Sequence, residues 1–394
     1  MHQRLCGNRR KVSVVQVRVR AARALATGVG LVVAGALPAF LTASLAHRIR
    51  ADFTFGDSAV GVAVGLFYAV CAVVSTPCGR VVDRIGATVS IRIAAASTAI
   101  SGVALATLAH SAPTLIALLL VGGLGNAMAG PAVSALLRHE VVGHRHGLAF
   151  GAQQAGAPLG ALLAGLALPV IAIPLGWRWA FAGNAALAVA VAAIAPAAQA
   201  SGVASTAAAR ARRGLGTVHA LGLAAVLASA AGVGLVSFIV IFAVDSGLSE
   251  GAAGLLLAGL SLTAMISRIV LGVLADRPDL DPLRPVAAML AASAVCYLTL
   301  TAETPFPVVA AALLAGSLGW SWPGALQLAV VQRSPDAPAW AVGVLMSGLF
   351  AGAVAGPLVV GLLAGAGWFA GGWIACAVFA LGAAGIVAAT RRRS

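Results

Sequence analysis

The chain has 394 residues, of which 61% are hydrophobic and only 9% charged. Soluble domains carry about 25% charged residues, so this composition excludes one and makes lipid the solvent for most of the chain. The formal net charge of +14, from 25 Lys and Arg against 11 Asp and Glu, would indicate nucleic acid in a soluble protein. In a membrane chain it is a topological signal instead, because basic residues stay on the cytoplasmic side.

A helix crosses the hydrocarbon core with about 20 apolar residues, and roughly twelve such runs fit. They are 24–46, 58–78, 87–109, 113–136, 147–172, 179–199, 217–243, 251–274, 284–302, 306–330, 339–364 and 369–390. The first follows a basic tail, 1–23, that holds Arg9, Arg10, Lys11, Arg18, Arg20 and Arg23. A basic stretch, an apolar run and then Ser44-Leu45-Ala46 have the order of a secretion signal. The run is too long for a typical signal core, however, and its removal would leave an odd count. It is therefore taken as the first span. With the N-terminus inside, only Arg48, Arg50 and Arg178 of the Lys and Arg fall outside, and Arg268 falls within a span. That bias predicts a multi-pass protein of the cell membrane with both termini cytoplasmic. Cys6, Cys71, Cys78, Cys296 and Cys376 form no CxxC pair and mostly lie in apolar runs, so they are expected to pack rather than pair or bind zinc.

The second and eighth runs end alike. Gly79, Asp83 and Arg84 recur as Gly272, Asp276 and Arg277 at an offset of about 193 residues. The match extends backward, pairing Gly61 with Gly254, Tyr68 with Ser261 and Ser75 with Arg268. A duplicated bundle with matched charged hairpins is the layout of an alternating-access transporter. It divides the chain into a six-span bundle over 24–200, a linker over 201–216, a second bundle over 217–390 and a basic tail over 391–394. The linker contains Ser201-Gly202, Ser205-Thr206, Arg210, Arg212, Arg213 and Gly214. It is expected to be a flexible cytoplasmic tether, with an amphipathic surface helix as the alternative.

The hairpin Gly79-Arg80-Val81-Val82-Asp83-Arg84-Ile85-Gly86 marks a water boundary, because charge is costly at a span centre. Asp83 lies near the start of the third run and is expected to face its positive end. The segment resembles the loop 2–3 signature of the major facilitator superfamily, Gly-x-x-x-Asp-Arg-x-Gly, through Gly79, Asp83, Arg84 and Gly86. Gly272, Asp276 and Arg277 resemble its weaker echo in loop 8–9. Val82 stands where the family prefers a small residue, and Ala87-Thr88 where it prefers basic ones, with Arg92 one turn later. The resemblance implies an all-α polytopic membrane protein with twelve transmembrane helices in two pseudo-symmetric six-helix bundles. It also implies that helices 1, 4, 7 and 10 surround a cavity. Asp83 and Arg84 would form an inner gate latch that holds the outward-open state. A plain topological anchor is the alternative.

Helix 5 contains Gly151-Ala152-Gln153-Gln154-Ala155-Gly156-Ala157-Pro158-Leu159-Gly160. This resembles a degraded form of the family's antiporter signature, with Ala157-Pro158 where Gly-Pro is expected, and favours efflux. Gln153 and Gln154 lie about 100° apart on a helix, so at most one should point squarely into a cavity. Each needs a partner in substrate, water or a neighbouring helix. Glycines at four-residue spacing in helix 11 (Gly348, Gly352, Gly356) and in helix 5 (Gly147 and Gly151, with Gly156 and Gly160 nearly opposite) permit close approach, for packing or for sliding.

Arg268 is the one in-span charge, about 12 Å along its helix from Asp276. It either faces the cavity as an anion-binding guanidinium, snorkels to the inner surface, or pairs with Asp276 or Glu140. The remaining cavity candidates are Tyr68, Asn126, Gln153, Gln154, Trp320 and Gln327. Pro131, Pro158, Pro323 and Pro357 are the hinge candidates. None of the acids lies deep in a span, which argues against a simple cation/proton exchanger and leaves proton coupling open. The Arg138-His139-Glu140 and His144-Arg145-His146 patch is expected to be a solvated loop. An enzyme would need a paired constellation at membrane depth, and that pattern is missing. The expected function is secondary transport of a small organic solute, with efflux favoured and uptake of an organic anion held by Arg268 as the alternative. A polytopic membrane enzyme is the remote one. Lipid and a small-molecule substrate are the expected partners, for a monomer without nucleic acid, cofactor or metal.

Overall fold

The computed structural model describes residues 2–52, 57–196, 215–302 and 305–392. Twelve helices among them are long and apolar enough to span a membrane. In chain order they are α1 (Arg18–Ser44), α2 (Gly61–Ile85), α3 (Ala87–Thr107), α4 (Ala112–Glu140), α5 (Gly143–Leu175) and α6 (Trp177–Ile194). The second set is α7 (Gly216–Asp245), α8 (Ala252–Ala275), α9 (Leu283–Ala302), α10 (Pro307–Arg333), α11 (Pro338–Gly365) and α12 (Phe369–Arg391). No strand occurs among the described residues. Because the spans alternate in direction, the start of α1 and the end of α12 lie at the same end of the molecule as the last turns of α2 and α8. The expected tether falls largely on residues 197–214, outside the described residues.

One expectation about local structure is corrected. The charged segment after Gly79 is not a hairpin loop. Helix α2 continues through Asp83 and Arg84 to Ile85, and the turn is Gly86 alone, whose φ of 86° is one that only glycine adopts without strain. Two spans are also broken. Span α5 is interrupted at Ala155, three residues before Pro158, and loosens into a π turn over Leu168–Ala172. Span α10 is interrupted over 320–322, just before Pro323. Pro131 and Pro357, by contrast, lie inside continuous helices.

Small residues set the packing, as expected where lipid removes the hydrophobic drive between helices. Gly348, Gly352 and Gly356 of α11 face the backbone of α7. A Cβ on each would come within 2.2 Å of the Gly222 carbonyl oxygen, 2.1 Å of that of Val226 and 2.1 Å of that of Ala230. The stripe thus joins two helices of one bundle and does not mark a sliding face between bundles. At the end of the first bundle away from the termini, Asp52 accepts hydrogen bonds from Trp177 Nε1 (2.8 Å) and Arg178 Nη1 (2.7 Å). Arg178 also donates to the Ala109 carbonyl at 3.1 Å, so one cluster ties three connections together.

Candidate functional site

The bundles meet along two matched seams, α2 against α11 and α8 against α5. A Cβ on Gly79 would lie 2.4 Å from the Ala339 carbonyl oxygen, and one on Gly343 2.5 Å from that of Ser75. In the other seam, a Cβ on Gly272 would lie 2.5 Å from the Gly147 carbonyl oxygen, and one on Gly151 2.5 Å from that of Arg268. Only glycine lets these backbones come so close.

At the end of each seam a carboxylate caps the partner bundle's helix. Asp83 accepts from the amides of Ala339 (3.2 Å) and Trp340 (2.9 Å) in the first turn of α11. Asp276 accepts from those of Gly147 (2.6 Å) and Leu148 (2.9 Å) at the start of α5. First-turn amides have no acceptor within their own helix, and a negative charge there is favoured by the helix dipole. Asp83 therefore faces a positive helix end, but that of α11 and not the adjacent α3. Arg84 and Arg277 are exposed. Arg138 instead links the bundles at this end, donating to the Pro335 carbonyl at 3.1 Å.

Above this closed end, towards the opposite face, lies a cavity of about 560 Å³ between the bundles. Its walls run from Asn126, Gln153 and Arg268 at depth to Ser44 in α1 and Gly254 in α8 at the far end. Among the described residues that line it, only Tyr68 and Arg268 are ionisable. Tyr68 stacks on Phe350 across the bundles, with ring centroids 6.0 Å apart.

Arg268 is only 3% exposed and pairs with neither Asp276 nor Glu140. Asp276 is engaged by α5, and Glu140 pairs with His139. The guanidinium turns inward. Its Nε and Nη2 donate to the Trp320 carbonyl at 3.0 and 2.8 Å, and its Nη1 to the Gln154 carbonyl. It also lies 4.8 Å from the centre of the Trp320 ring, within reach of a cation–π attraction. Sequence explains the Gln154 carbonyl. A helical acceptor at Gln154 would serve the amide four residues on, and Pro158 has none. The Trp320 carbonyl comes from the interrupted turn before Pro323. Among the described residues no carboxylate pairs with Arg268.

Gln153, Gln154 and Gln327 form one network. Gln154 Nε2 donates to Gln327 Oε1 at 2.8 Å, and Gln327 Nε2 donates to Gln153 Oε1 at 3.2 Å and to Ser134 Oγ. Both α5 glutamines line the cavity, and the Gln327 amide is bonded to each of them. Asn126 lines the cavity too but donates to Cys71 Sγ at 3.5 Å, within its own bundle. Trp320 lines it beside Arg268. Ser134, Phe40, Met346 and Phe350 were not anticipated. For Ser134 a signal existed, since it lies 193 positions before its partner Gln327, the repeat offset itself. The aromatic and Met wall residues carry no such mark in an apolar chain. Among the described residues no group of three or more His, Cys, Asp or Glu comes together.

Twelve spans, two matched seams and a cavity between them are the architecture of a polytopic membrane transporter. The family model described as Major Facilitator Superfamily matches residues 23–277, well over half of the chain, and the chain belongs to that superfamily. No curated protein matches it. Among solved structures it is similar to the transporter FucP in its outward conformation, at 16% identity and TM-score 0.76, covering 94% of this chain and 98% of that one. It is similar to the proton:xylose symporter XylE bound to 6-bromo-6-deoxy-D-glucose, at 17% identity and TM-score 0.72, covering 93% and 94%. The human organic anion transporter MFSD10 (TETRAN) is similar at 15% identity and TM-score 0.71, covering 94% and 98%.

Proposed function

We propose that this transporter exports a small amphipathic organic anion across the cell membrane by alternating access, with both termini in the cytoplasm. The observation that carries the reading is Arg268, a guanidinium without a carboxylate partner among the described residues, at the base of a mostly apolar cavity. Its remaining N–H groups suit an anionic head. Tyr68, Trp320 and Phe350 suit an apolar or aromatic body. The similarity to a protein called an organic anion transporter agrees with this reading. Ala157-Pro158 in α5 supports export.

Energetics favour the same direction. Among the described residues no acid lines the cavity, which favours a substrate that carries its own charge. An anion moving alone gains about 2.3 kcal/mol for each 100 mV of inside-negative potential when it leaves the cell.

The test is a thermal-shift panel on purified protein, with aromatic and aliphatic carboxylates each paired with its neutral amide. Carboxylates are expected to raise the melting temperature of the wild type, and Arg268→Gln to abolish that rise. Amides that stabilise as well as the acids, or an Arg268→Gln protein that responds like the wild type, would remove the anion from the reading.

A further inference from the structure

The bonds of Arg268 cross the bundle boundary. Its own helix, α8, and the Trp320 carbonyl in α10 belong to the second bundle, whereas the Gln154 carbonyl in α5 belongs to the first. The guanidinium sits directly above the seam where Gly151 and Gly272 hold α5 against α8. Pro158 lacks the amide that would otherwise bond this carbonyl within the helix and compete for it.

We propose that Arg268 is the latch of the closed end. By joining the Gln154 carbonyl to the Trp320 carbonyl it holds α5 against α8 and α10, and a substrate acceptor that takes its N–H groups lets the bundles part. This rests on the alternating-access reading but not on the substrate being an anion, because the bond to Gln154 joins two groups of the protein itself. Pro158 is then a positioning residue, since it keeps the Gln154 carbonyl available.

The molecule carries its own reporter. The amides of Gly147, Leu148, Ala339 and Trp340 are bonded to Asp276 and Asp83 across the boundary. As first-turn amides they have no helical acceptor, so they are protected while the end is shut. Hydrogen–deuterium exchange of ligand-free protein in lipid nanodiscs reads them. Loss of one charge-assisted hydrogen bond shifts such an equilibrium by about tenfold or more, and exchange follows the open fraction.

Arg268→Gln is expected to speed exchange in peptides holding these amides by about tenfold, while α3 and α6 keep wild-type protection. Pro158→Ala leaves the arginine in place but offers a helical amide to the Gln154 carbonyl. It is expected to act in the same direction. Wild-type exchange at these amides in Arg268→Gln would overturn the latch. Should Arg268→Gln lose protection throughout, Pro158→Ala decides, and an unchanged closed end in that variant would overturn it equally. A protein that fails the carboxylate panel yet shows this exchange pattern keeps the latch and loses only the anion.

Discussion

Asp52 shows how single charges work outside the spans. Its carboxyl is held below the ordinary 3.8, first by the Trp177 indole and then by Arg178. The folded form therefore binds a proton less readily than the unfolded one. Its contribution to stability is fully present above the ordinary carboxylate value and is lost as pH falls through the lower folded value. Asp52→Asn should lower the melting temperature at pH 7, by an amount corresponding to about 1 kcal/mol or less for so exposed a pair. Melting curves of the two proteins should converge as the pH is taken below 3.8. A gap that stays constant with pH would mean that the carboxylate charge does not contribute. At this scale the sequence announced which residues matter more readily than what they touch. Asp83, Asp276 and Arg268 stand out because charge is rare in this chain, but their partners are main-chain groups, which no side-chain pattern encodes. Pro158 held the one available clue, since a proline leaves the carbonyl four residues earlier without its helical donor.

Glycines at four-residue spacing look alike in sequence, yet they serve two kinds of helix contact. Gly352 packs on Val226 within the second bundle, whereas Gly272 packs on Gly147 between bundles. Gly352→Ala should therefore cost stability in every conformation, by about 1–3 kcal/mol as overpacked cores do. Gly272→Ala should obstruct only the state in which α8 touches α5. Maleimide labelling of a single cysteine placed at Ala275, one turn from Gly272 on α8 and 7% exposed, separates the two. Gly272→Ala should raise its labelling and Gly352→Ala should lower the melting temperature alone. Equal labelling in Gly272→Ala and its parent would show that this contact does not set the conformation. The spans themselves were legible because runs of about 20 apolar residues can do little else in lipid. Their ends and breaks were less so. Charge suggested that α2 stops at Gly79, but a helix can project charged turns into water, and α2 does so to bring Asp83 to α11. The breaks at Ala155 and over 320–322 are stabilised by tertiary contacts, which local propensity does not report.

For the whole molecule, the duplication explains why closure takes the same form twice. Asp83 caps α11 and Asp276 caps α5, so each bundle grips the other with the same part. The offset of about 193 made that two-part design readable before any coordinates. It also predicts pairs across the boundary, as Ser134 and Gln327 show. The aromatic walls were hidden because nothing distinguishes a cavity-facing Phe from a lipid-facing one in so apolar a chain. Alternating access requires the two ends to move in opposite senses. Pulsed electron double resonance tests this in a background with the native cysteines replaced. One spin-label pair, at Arg84→Cys and Asp336→Cys, spans the closed end. The other, at His110→Cys and Asp245→Cys, spans the far end. In nanodiscs, introducing Gly272→Ala should lengthen the first distance and shorten the second. Two distances that stay fixed, or that lengthen together, would contradict a rocking two-bundle transporter.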